Sequence, residues 1–359
     1  MSDVLQNAFA GKRVLITGGT GSLGKTLVNT LLEGKYGCPA KIIIFSRDEA
    51  KQYYMRMHYE QVRATEEIVF NNFRKILEFR IGDVRNYASL CGVLRNIDIV
   101  VNAAALKQVP SCEYFPYEAT QTNIVGAANI IRAIEEQHYA TETVVGVSTD
   151  KACLPVNAMG MTKSLQERLF ISGNINCPQT RFICVRYGNV LASRGSVIPL
   201  FHEQIRNGGP LTITTPDMTR FLLPLSEAVT TIATAISEAE RGETYIPKIE
   251  SALITNVARA LIGDRNVSIK NVGIRPGEKI HEMLISQEEG LRAYDRQKYY
   301  AIAPLLPELH VPQNQDLLLG QAYSSNDHVM SFEDTVALLR QHKLMPEDME
   351  QNGDLELLA

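Results

Sequence analysis

Short apolar runs that alternate with helical patterns dominate the first half of the sequence and limit the folds open to it. The β-rich runs occupy residues 13–17, 41–45, 78–81, 97–102, 143–148 and 180–187. Helical periodicity is present between them, at residues 22–33, 87–95, 117–137 and 159–171. Continuous apolar strands separated by helices are typical of parallel strands buried on both faces. The sequence therefore predicts an α/β fold, a Rossmann-like doubly wound parallel sheet.

The alternation fades after residue 188, where Gly, Pro and Thr become common. Helical patterns return at residues 226–239 and 255–262, and a short one covers 332–342. We predict a nucleotide-binding domain at 1–188, a smaller C-terminal substrate-binding region at 189–305 and a C-terminal extension at 306–359. The chain can cross between the first two. Residues 48–75 interrupt the first domain as a mostly polar helical insertion, and a solvated helix is favoured there over an oligomer contact.

Charge and cysteine content exclude several classes of protein. With 36 basic and 40 acidic residues the formal charge is −4, which gives no electrostatic reason to coat nucleic acid or anionic lipid. No run of apolar residues is long enough for a transmembrane helix, and residues 1–12 do not resemble a secretory signal. The six cysteines have no zinc-binding spacing. We expect no metal, free thiols and a cytoplasmic location.

A glycine-rich turn joins the first apolar run to the first helical pattern. Gly18, Gly21 and Gly24 are spaced three apart. In a dinucleotide site the first glycine allows the tight turn, the second admits the pyrophosphate, and the third lets the helix pack on the strand. The helix N-terminus then faces the phosphates. The strand before and the helix after the turn make a dinucleotide site the favoured interpretation over a plain turn. Its other predicted contacts are Thr20, Ser22 and Leu23.

Polar and small residues follow the next three strands. Ser46 and Arg47 end the second strand and suit a 2′-phosphate, because a guanidinium pairs with phosphate in a bidentate manner. They favour NADP, while Asp48 keeps NAD open. Asp83 either meets the adenine amino group or caps the following helix, and these interpretations are compatible. The remaining predicted cofactor contacts are Val84, Ala103, Ala104 and Ala105.

The fifth strand ends in Thr149, Asp150 and Lys151, and a helix carrying Lys163 follows. An acid and an amine at one strand end suit a reaction that needs both a proton donor and a proton acceptor. A simple salt bridge at the strand end is the alternative. In its glycine turn, in this strand end and in Lys163, the chain resembles the extended short-chain dehydrogenase/reductases. Lys163 is also predicted to contribute to the cofactor site.

A narrower resemblance rests on the strings LKQVPSCEYFP, STDKA, NAMGMTK, RYGNVLASRGSVIPLF, PDMTRF and GIRPGEK. They are similar to the bacterial UDP-N-acetylglucosamine 4,6-dehydratases of surface-polysaccharide pathways, over about residues 12–300. One position departs from the wider superfamily. Its catalytic tyrosine lies four residues before the lysine, where this sequence has Met159, and a thioether cannot exchange a proton. The substitution resembles the 5-inverting branch, in which C5 is epimerised during dehydration.

The resemblance implies an internal hydride transfer through tightly bound NADP that yields a 4-keto-6-deoxy sugar nucleotide. Lys163 would hold the nicotinamide ribose, Thr149 would hydrogen-bond the sugar O4, and Lys151 would remove the C5 proton. Asp150 would protonate the departing C6 hydroxyl. The O4 proton acceptor is left open between Lys163 and a bound water. The predicted contacts of the UDP-sugar are Lys107, Asn189, Arg194, Val197, Arg220, Arg275 and Glu278.

Three alternatives remain at this point. A nucleotide-sugar 4-epimerase shares the fold but needs no acid and base at C5 and C6, and a 4,6-dehydratase can also retain the C5 configuration. A non-catalytic NADP(H)-binding regulator would have no need of Asp150 and Lys151. The family resemblance also implies a homo-oligomer, a dimer or a hexamer. From the charge and the apolar pattern we expect neither nucleic acid binding nor membrane insertion.

Overall fold

The computed structural model describes residues 3–61, 67–191, 193, 196–310 and 317–348. Its strands in chain order are β1 (Arg13–Thr17), β2 (Lys41–Ser46), β3 (Leu77–Ile81), β4 (Ile99–Asn102), β5 (Thr143–Val147), β6 (Arg181–Val185), β7 (Asn189–Val190), β8 (Leu211–Ile213), β9 (Thr219–Leu223), β10 (Thr244–Pro247), β11 (Ser251–Leu253), β12 (Ile269–Asn271), β13 (Met283–Ile285), β14 (Ala293–Arg296), β15 (Tyr299–Ile302) and β16 (Tyr323–Ser324).

The helices follow the same order. They are α1 (Asp3–Gln6), α2 (Ser22–Leu32), α3 (Glu49–Gln61), α4 (Glu67–Ile76), α5 (Tyr87–Leu94), α6 (Val109–Tyr114), α7 (Pro116–Ala119), α8 (Gly126–Glu136), α9 (Ala158–Asn176), α10 (Val197–Arg206), α11 (Leu225–Glu238), α12 (Ile254–Ile262), α13 (Gln287–Gly290) and α14 (Phe332–Gln341). A π-helical turn covers Thr120–Val125, and 3₁₀ turns cover Asp150–Ala152 and Pro307–Leu309.

A nine-stranded sheet forms the centre of the described structure, in the order β14-β15-β10-β6-β5-β4-β1-β2-β3. The strands from β3 to β10 along this order pair in parallel, whereas β15 and β14 are antiparallel. Val14, Leu15 and Ile16 are fully buried because the two faces of β1 contribute to two separate apolar clusters. This arrangement confirms the predicted doubly wound fold and places the predicted strands within three residues of their observed ends.

The C-terminal half builds a smaller layer with its own core. Small sheets β7-β9-β11 and β8-β12 pack with α10, α12 and α14 around a third apolar cluster. Strands β10, β14 and β15 nevertheless belong to the central sheet. The segment 189–305 therefore contributes to both layers, and the division at residue 188 stays a prediction about domains.

The insertion at residues 48–75 differs from the single solvated helix predicted from its polar composition. The structure has two helices, α3 and α4, and residues 62–66 lie outside the described part. Met55 and Tyr59 of α3 are buried in the main core, and the Tyr59 ring stacks on Phe73 of α4 at 5.4 Å. A few apolar side chains on each helix bury these two helices against the core. Most residues of the segment are polar, so the composition did not reveal this apolar face.

The predicted helix at 117–137 contains the π-helical turn. The extra residue in this turn is associated with a buried Asn123, whose side chain donates to Leu106 O at 3.0 Å and to Thr162 Oγ1 at 2.9 Å. Its Oδ1 accepts from Leu106 N. The turn thereby connects the segment after β4 to α9, which both border the site described next.

Candidate active site

A cavity of about 2280 Å³ lies where the carboxyl ends of the parallel strands face the C-terminal layer. Segments that follow β1 to β6 line one side of it, and residues of α10, β8, β9 and the loop before β13 line the other. Ligands of open α/β sheets bind at this edge, because loops there converge from several strands. All predicted site residues that the structure describes line this cavity. Arg194 lies outside the described residues.

The glycine turn has the close contacts that a dinucleotide cradle needs. Gly18 has a φ of +68°, and a Cβ added to it would lie 2.8 Å from Ala104 Cα. A Cβ on Gly24 would lie 2.5 Å from Gly19 Cα, so α2 packs directly on the turn. At Gly21 the nearest neighbour of such a Cβ is Gly18 O at 3.4 Å, which leaves room on this face. The turn therefore fits a pyrophosphate at the N-terminus of α2.

The end of β2 carries the residues that are predicted to contact the cofactor's ribose. Arg47 is half exposed at the cavity wall, with Nη1 3.6 Å from Asp83 Oδ2. The Asp48 carboxylate accepts from Lys51 N and lies 3.2 Å from Lys51 Nζ, and the backbone hydrogen bond is the main cause of its lowered pKa. Asp48 is thus engaged within its own helix. The buried Gln52, which sequence reasoning missed, donates to Ser46 Oγ at 3.0 Å and fixes that side chain.

The ends of β3 and β4 complete the dinucleotide side. Asp83 accepts from Arg85 Nε at 2.8 Å, and this pair keeps the pKa of Asp83 below its ordinary value although burial opposes the shift. The capping interpretation of Asp83 was wrong, because Asn86 caps α5 by accepting from Ser89 N. Small side chains after β4 form the adjoining wall, at Ala103, Ala104 and Ala105.

Thr149, Asp150 and Lys151 lie together at the end of β5. Thr149 Oγ1 donates to Asp150 Oδ1 at 2.8 Å, and Lys151 Nζ donates to the same oxygen at 3.0 Å. Asp150 is fully buried, and its Oδ2 has no hydrogen-bond partner within the described chain. A second carboxylate also faces the amine, with Glu282 Oε1 3.3 Å from Lys151 Nζ.

The protonation of Lys151 follows from these neighbours. Burial lowers the pKa of Lys151, but the charges of Asp150 and Glu282 outweigh it, so the pKa lies above that of an ordinary lysine. The amine is therefore an ammonium in the resting site, and Asp150 is its carboxylate partner.

Lys163 and Met159 face the same cavity from α9. Burial lowers the pKa of Lys163 to about 8, and Nζ donates to Gln166 Oε1 at 2.6 Å. Met159 is buried and packs in a small apolar cluster with Cys112 and Ala119. The helix approaches the 3₁₀ turn Asp150–Ala152, the predicted catalytic turn, so closely that a Cβ on Gly160 would lie 2.2 Å from Lys151 O. This contact sets the backbone of α9, which carries Lys163, directly against the turn that carries Lys151.

A buried ion-pair network supports the strand end from behind. Arg186 Nη2 lies 2.6 Å from Glu167 Oε2 of α9, and Nη1 lies 2.8 Å from Glu289 Oε2 of α13. Ser148 Oγ donates to Glu167 Oε1. Removing one partner of such a network leaves an uncompensated buried charge. Arg186 therefore joins the segment after β6 to α9 and α13.

The predicted substrate residues line the other side of the cavity. Arg220 is buried there, and its Nη atoms donate to the carbonyls of residues 219, 279 and 280. These contacts fix the Arg220 guanidinium in the cavity wall. Asn189 Oδ1 is buried without a hydrogen-bond partner among the described residues. The remaining predicted residues at this wall are Lys107, Val197, Arg275 and Glu278.

The loop that carries Arg275 and Glu278 is docked on the catalytic elements. Asn157, the cap of α9, donates to Gly277 O at 2.7 Å, and Lys279 Nζ donates to Cys153 O at 2.7 Å. The main residue missed from the sequence is Glu282, which lies in the same segment. No local pattern marks it, since it lies far along the chain from Lys151.

The described residues hold no cluster of His, Cys, Asp or Glu suited to a metal ion. All six cysteines are free thiols, as predicted. Within the described chain, no helix has the length and apolar character needed to cross a bilayer.

Comparison with known proteins identifies a matching family and relatives that are similar over most of the chain. A family described as "polysaccharide biosynthesis protein" matches residues 14–304. A UDP-N-acetylglucosamine 4,6-dehydratase (inverting) of Campylobacter jejuni is 44% identical over 299 residues, which are 82% of this chain and 84% of that protein. A protein of Rickettsia conorii named UDP-glucose 4-epimerase is also 44% identical over 299 residues, with 82% and 83% covered.

Solved structures share the architecture. The X-ray structure of Pen from Bacillus thuringiensis is 33% identical, with a TM-score of 0.83 over 94% of this chain and 99% of that chain. A dTDP-glucose 4,6-dehydratase of Streptomyces venezuelae, solved with NAD bound, has a TM-score of 0.63 at 19% identity, over 92% of this chain and 98% of that chain. The latter likeness bears on the fold alone.

Proposed function

The chain belongs to the polysaccharide biosynthesis protein family, and on that premise we propose that it is a nucleotide-sugar 4,6-dehydratase that acts on UDP-N-acetylglucosamine. The observation that carries this proposal is the pair of Asp150 and Lys151. Their contact of 3.0 Å provides one acid and one base in the cavity that the glycine turn borders. Dehydration across C5 and C6 needs a base that removes the C5 proton and an acid that protonates the C6 hydroxyl of the same sugar.

The cofactor in this proposal is a nicotinamide dinucleotide, held by the glycine turn and by the walls after β2, β3 and β4. When bound, it supplies a hydride acceptor for C4 and a hydride donor for C6. NADP is proposed over NAD because the half-exposed Arg47 guanidinium lines the cavity, while the Asp48 carboxylate, which also lines it, accepts from Lys51 N and pairs with Lys51 Nζ. A guanidinium there suits a 2′-phosphate.

Residues of the chain carry the proton transfers. Thr149 hydrogen-bonds the sugar O4, and Lys163 orients the ribose and accepts the O4 proton, for which a pKa of about 8 is suitable. The ketone at C4 acidifies C5–H. Lys151, after passing its own proton to Asp150, takes the C5 proton, and Asp150 gives its proton to the leaving C6 hydroxyl. C5 then receives a proton from solvent, the C6 hydroxyl has left as water, and Lys163 releases the O4 proton to solvent, so the cycle closes without net redox change.

Substrate binding and assembly complete the proposal. We assign contacts with the diphosphate and the sugar of the UDP-sugar to Lys107, Asn189, Arg194, Val197, Arg220, Arg275 and Glu278.

Inversion at C5 is proposed from the name of the Campylobacter jejuni relative and from Met159. Exposed aromatic side chains at Tyr114, Phe115 and Tyr117 support a homo-oligomer, and the free thiols support a cytoplasmic location.

A UDP-sugar 4-epimerase is the second candidate, because the Rickettsia conorii relative with that name is equally similar. NMR of UDP-N-acetylglucosamine incubated with the protein in D₂O separates the two. A 4-keto-6-deoxy product with deuterium at C5 supports the dehydratase, and its C5 configuration distinguishes inversion from retention. A galacto-configured product without loss of the C6 hydroxyl supports the epimerase. Absence of turnover contradicts both and favours a binding role.

A further inference from the structure

Glu282 lies immediately before β13, and its carboxylate faces the turn that carries Asp150 and Lys151. Its side chain is 3% exposed. Oε1 is 3.3 Å from Lys151 Nζ and 3.9 Å from Arg220 Nε. Oε2 is buried and has no hydrogen-bond partner among the described residues. A buried carboxylate is costly unless it is paired with a charge, so its place beside Lys151 requires an explanation.

The backbone of Glu282 is anchored independently of its side chain. Its N–H donates to Ser325 Oγ at 2.9 Å, and its carbonyl accepts from Ser325 N at 2.8 Å. Ser325 Oγ also contacts Thr219 Oγ1 at 2.7 Å. The carboxylate is therefore not needed to hold this segment in place, and its charge can be removed while these contacts remain.

The charged groups of the described structure that face Lys151 come from three elements. Asp150 belongs to the same 3₁₀ turn, Glu282 comes from the segment before β13, and Arg220 from β9. Two carboxylates and two cations make the cluster neutral. Lys151 Nζ is held by Asp150 on one side and by Glu282 on the other. Its side chain is still 22% exposed, and it lines the cavity.

We propose that Glu282 is a positioning residue for the C5 proton transfer, and this rests on the proposed dehydratase function. Its carboxylate fixes Lys151 Nζ at the cavity wall and stabilises the ammonium that forms when Lys151 takes the C5 proton. In that step the C5–H bond breaks, its electron pair enters the enolate of the C4 ketone, and the proton forms the new N–H bond. Asp150 then remains free to deliver its own proton to the C6 hydroxyl.

The electrostatic consequence gives a distinctive signature. Removing one of two carboxylates beside Lys151 weakens the field that favours the ammonium, so the pKa of Lys151 falls. The neutral amine then forms at lower pH, but it is a weaker base and is no longer fixed at the cavity wall, so each neutral Lys151 takes the C5 proton more slowly. Oxidation at C4 does not use Lys151 in this scheme and is therefore spared. A residue with only a structural role would not separate these two steps.

The test uses Glu282→Gln and Glu282→Asp in the full-length protein with bound cofactor and UDP-N-acetylglucosamine. We expect Glu282→Gln to move the pH profile of C5 deuterium uptake about one unit to lower pH and to lower the maximal uptake rate about 10- to 100-fold. The single-turnover C4 oxidation should change less than about threefold. Glu282→Asp keeps the charge and should recover part of the exchange rate. Glu243→Gln is the matched control, because Glu243 is a buried carboxylate, paired with Arg296, outside the cavity lining.

The outcomes separate the two proposals. A wild-type protein that forms no 4-keto-6-deoxy product contradicts the dehydratase function itself. With an active wild type, Glu282→Gln with unchanged C5 exchange and pH profile overturns only the role of Glu282. Equal loss of both steps with an unmoved pH profile also overturns it, because that pattern indicates a structural defect.

Discussion

The lowered pKa of Lys163 gives a quantitative prediction about C4 oxidation. Burial brings that pKa to about 8, and the amine donates to Gln166 Oε1 at 2.6 Å. If the neutral amine accepts the O4 proton, the rate follows the neutral fraction. This fraction is about a tenth near pH 7 and about nine tenths near pH 9. The single-turnover rate should therefore rise roughly tenfold over this interval.

Gln166→Glu perturbs this equilibrium in a known direction. The new carboxylate would lie at hydrogen-bond distance from Lys163 Nζ, and the ammonium would favour its ionised form. An opposite charge at that distance raises a lysine pKa by roughly 1–3 units. The neutral fraction near pH 7, and with it the rate, should fall by about 10-fold or more, while alkaline pH should restore the rate. Lys163→Met should remove the pH dependence together with most of the oxidation.

Stopped-flow absorbance of the reduced nicotinamide, recorded between about pH 6 and pH 10, measures this step. Bound cofactor and thermal unfolding of each variant are the controls, because Gln166 is buried and also donates to Val147 O. A Gln166→Glu profile that coincides with the wild-type profile, in protein that retains cofactor, refutes Lys163 as the titrating group. The O4 proton would then pass to another acceptor, such as water.

Three further substitutions test other parts of the site. Arg47→Asp should weaken NADP about 10- to 100-fold more than NAD in equilibrium binding, because it replaces a half-exposed phosphate partner with a like charge. Lys151→Ala should lower C5 deuterium uptake by about 10²–10⁴ in NMR while C4 oxidation persists. Met159→Tyr should keep cofactor binding and slow or redirect C5 inversion in product NMR, because it adds a bulky phenol beside Lys163.

Each of these has a clear contrary result. Equal weakening of NADP and NAD would show that Arg47 does not contact the 2′-phosphate. Deuterium uptake that persists in Lys151→Ala would assign the base to another group. If Met159→Tyr forms a product with the same C5 configuration at the same rate as the wild type, Met159 does not control the stereochemistry at C5.

The sequence determined the central sheet and one side of the site, because those signals are local. Apolar runs such as residues 13–17 predict buried parallel strands, and the glycine turn between β1 and α2 must be built from neighbouring residues. The pair of Asp150 and Lys151 is adjacent in the chain. Its contact at the end of β5 therefore required no knowledge of distant segments.

The tertiary structure decided what surrounds that pair. Glu282 and Arg220 reach Lys151 only because the C-terminal layer folds over the sheet edge, and Arg186 joins Glu167 to Glu289 for the same reason. These residues lie far apart in the sequence, so no periodicity or motif spacing predicts that they come into contact. The two helices of the insertion are a related case, since Tyr59 and Phe73 reveal a buried face only when they meet. Long-range packing creates the charges and burial that set the pKa values of Lys151 and Lys163, and a local pattern does not encode them.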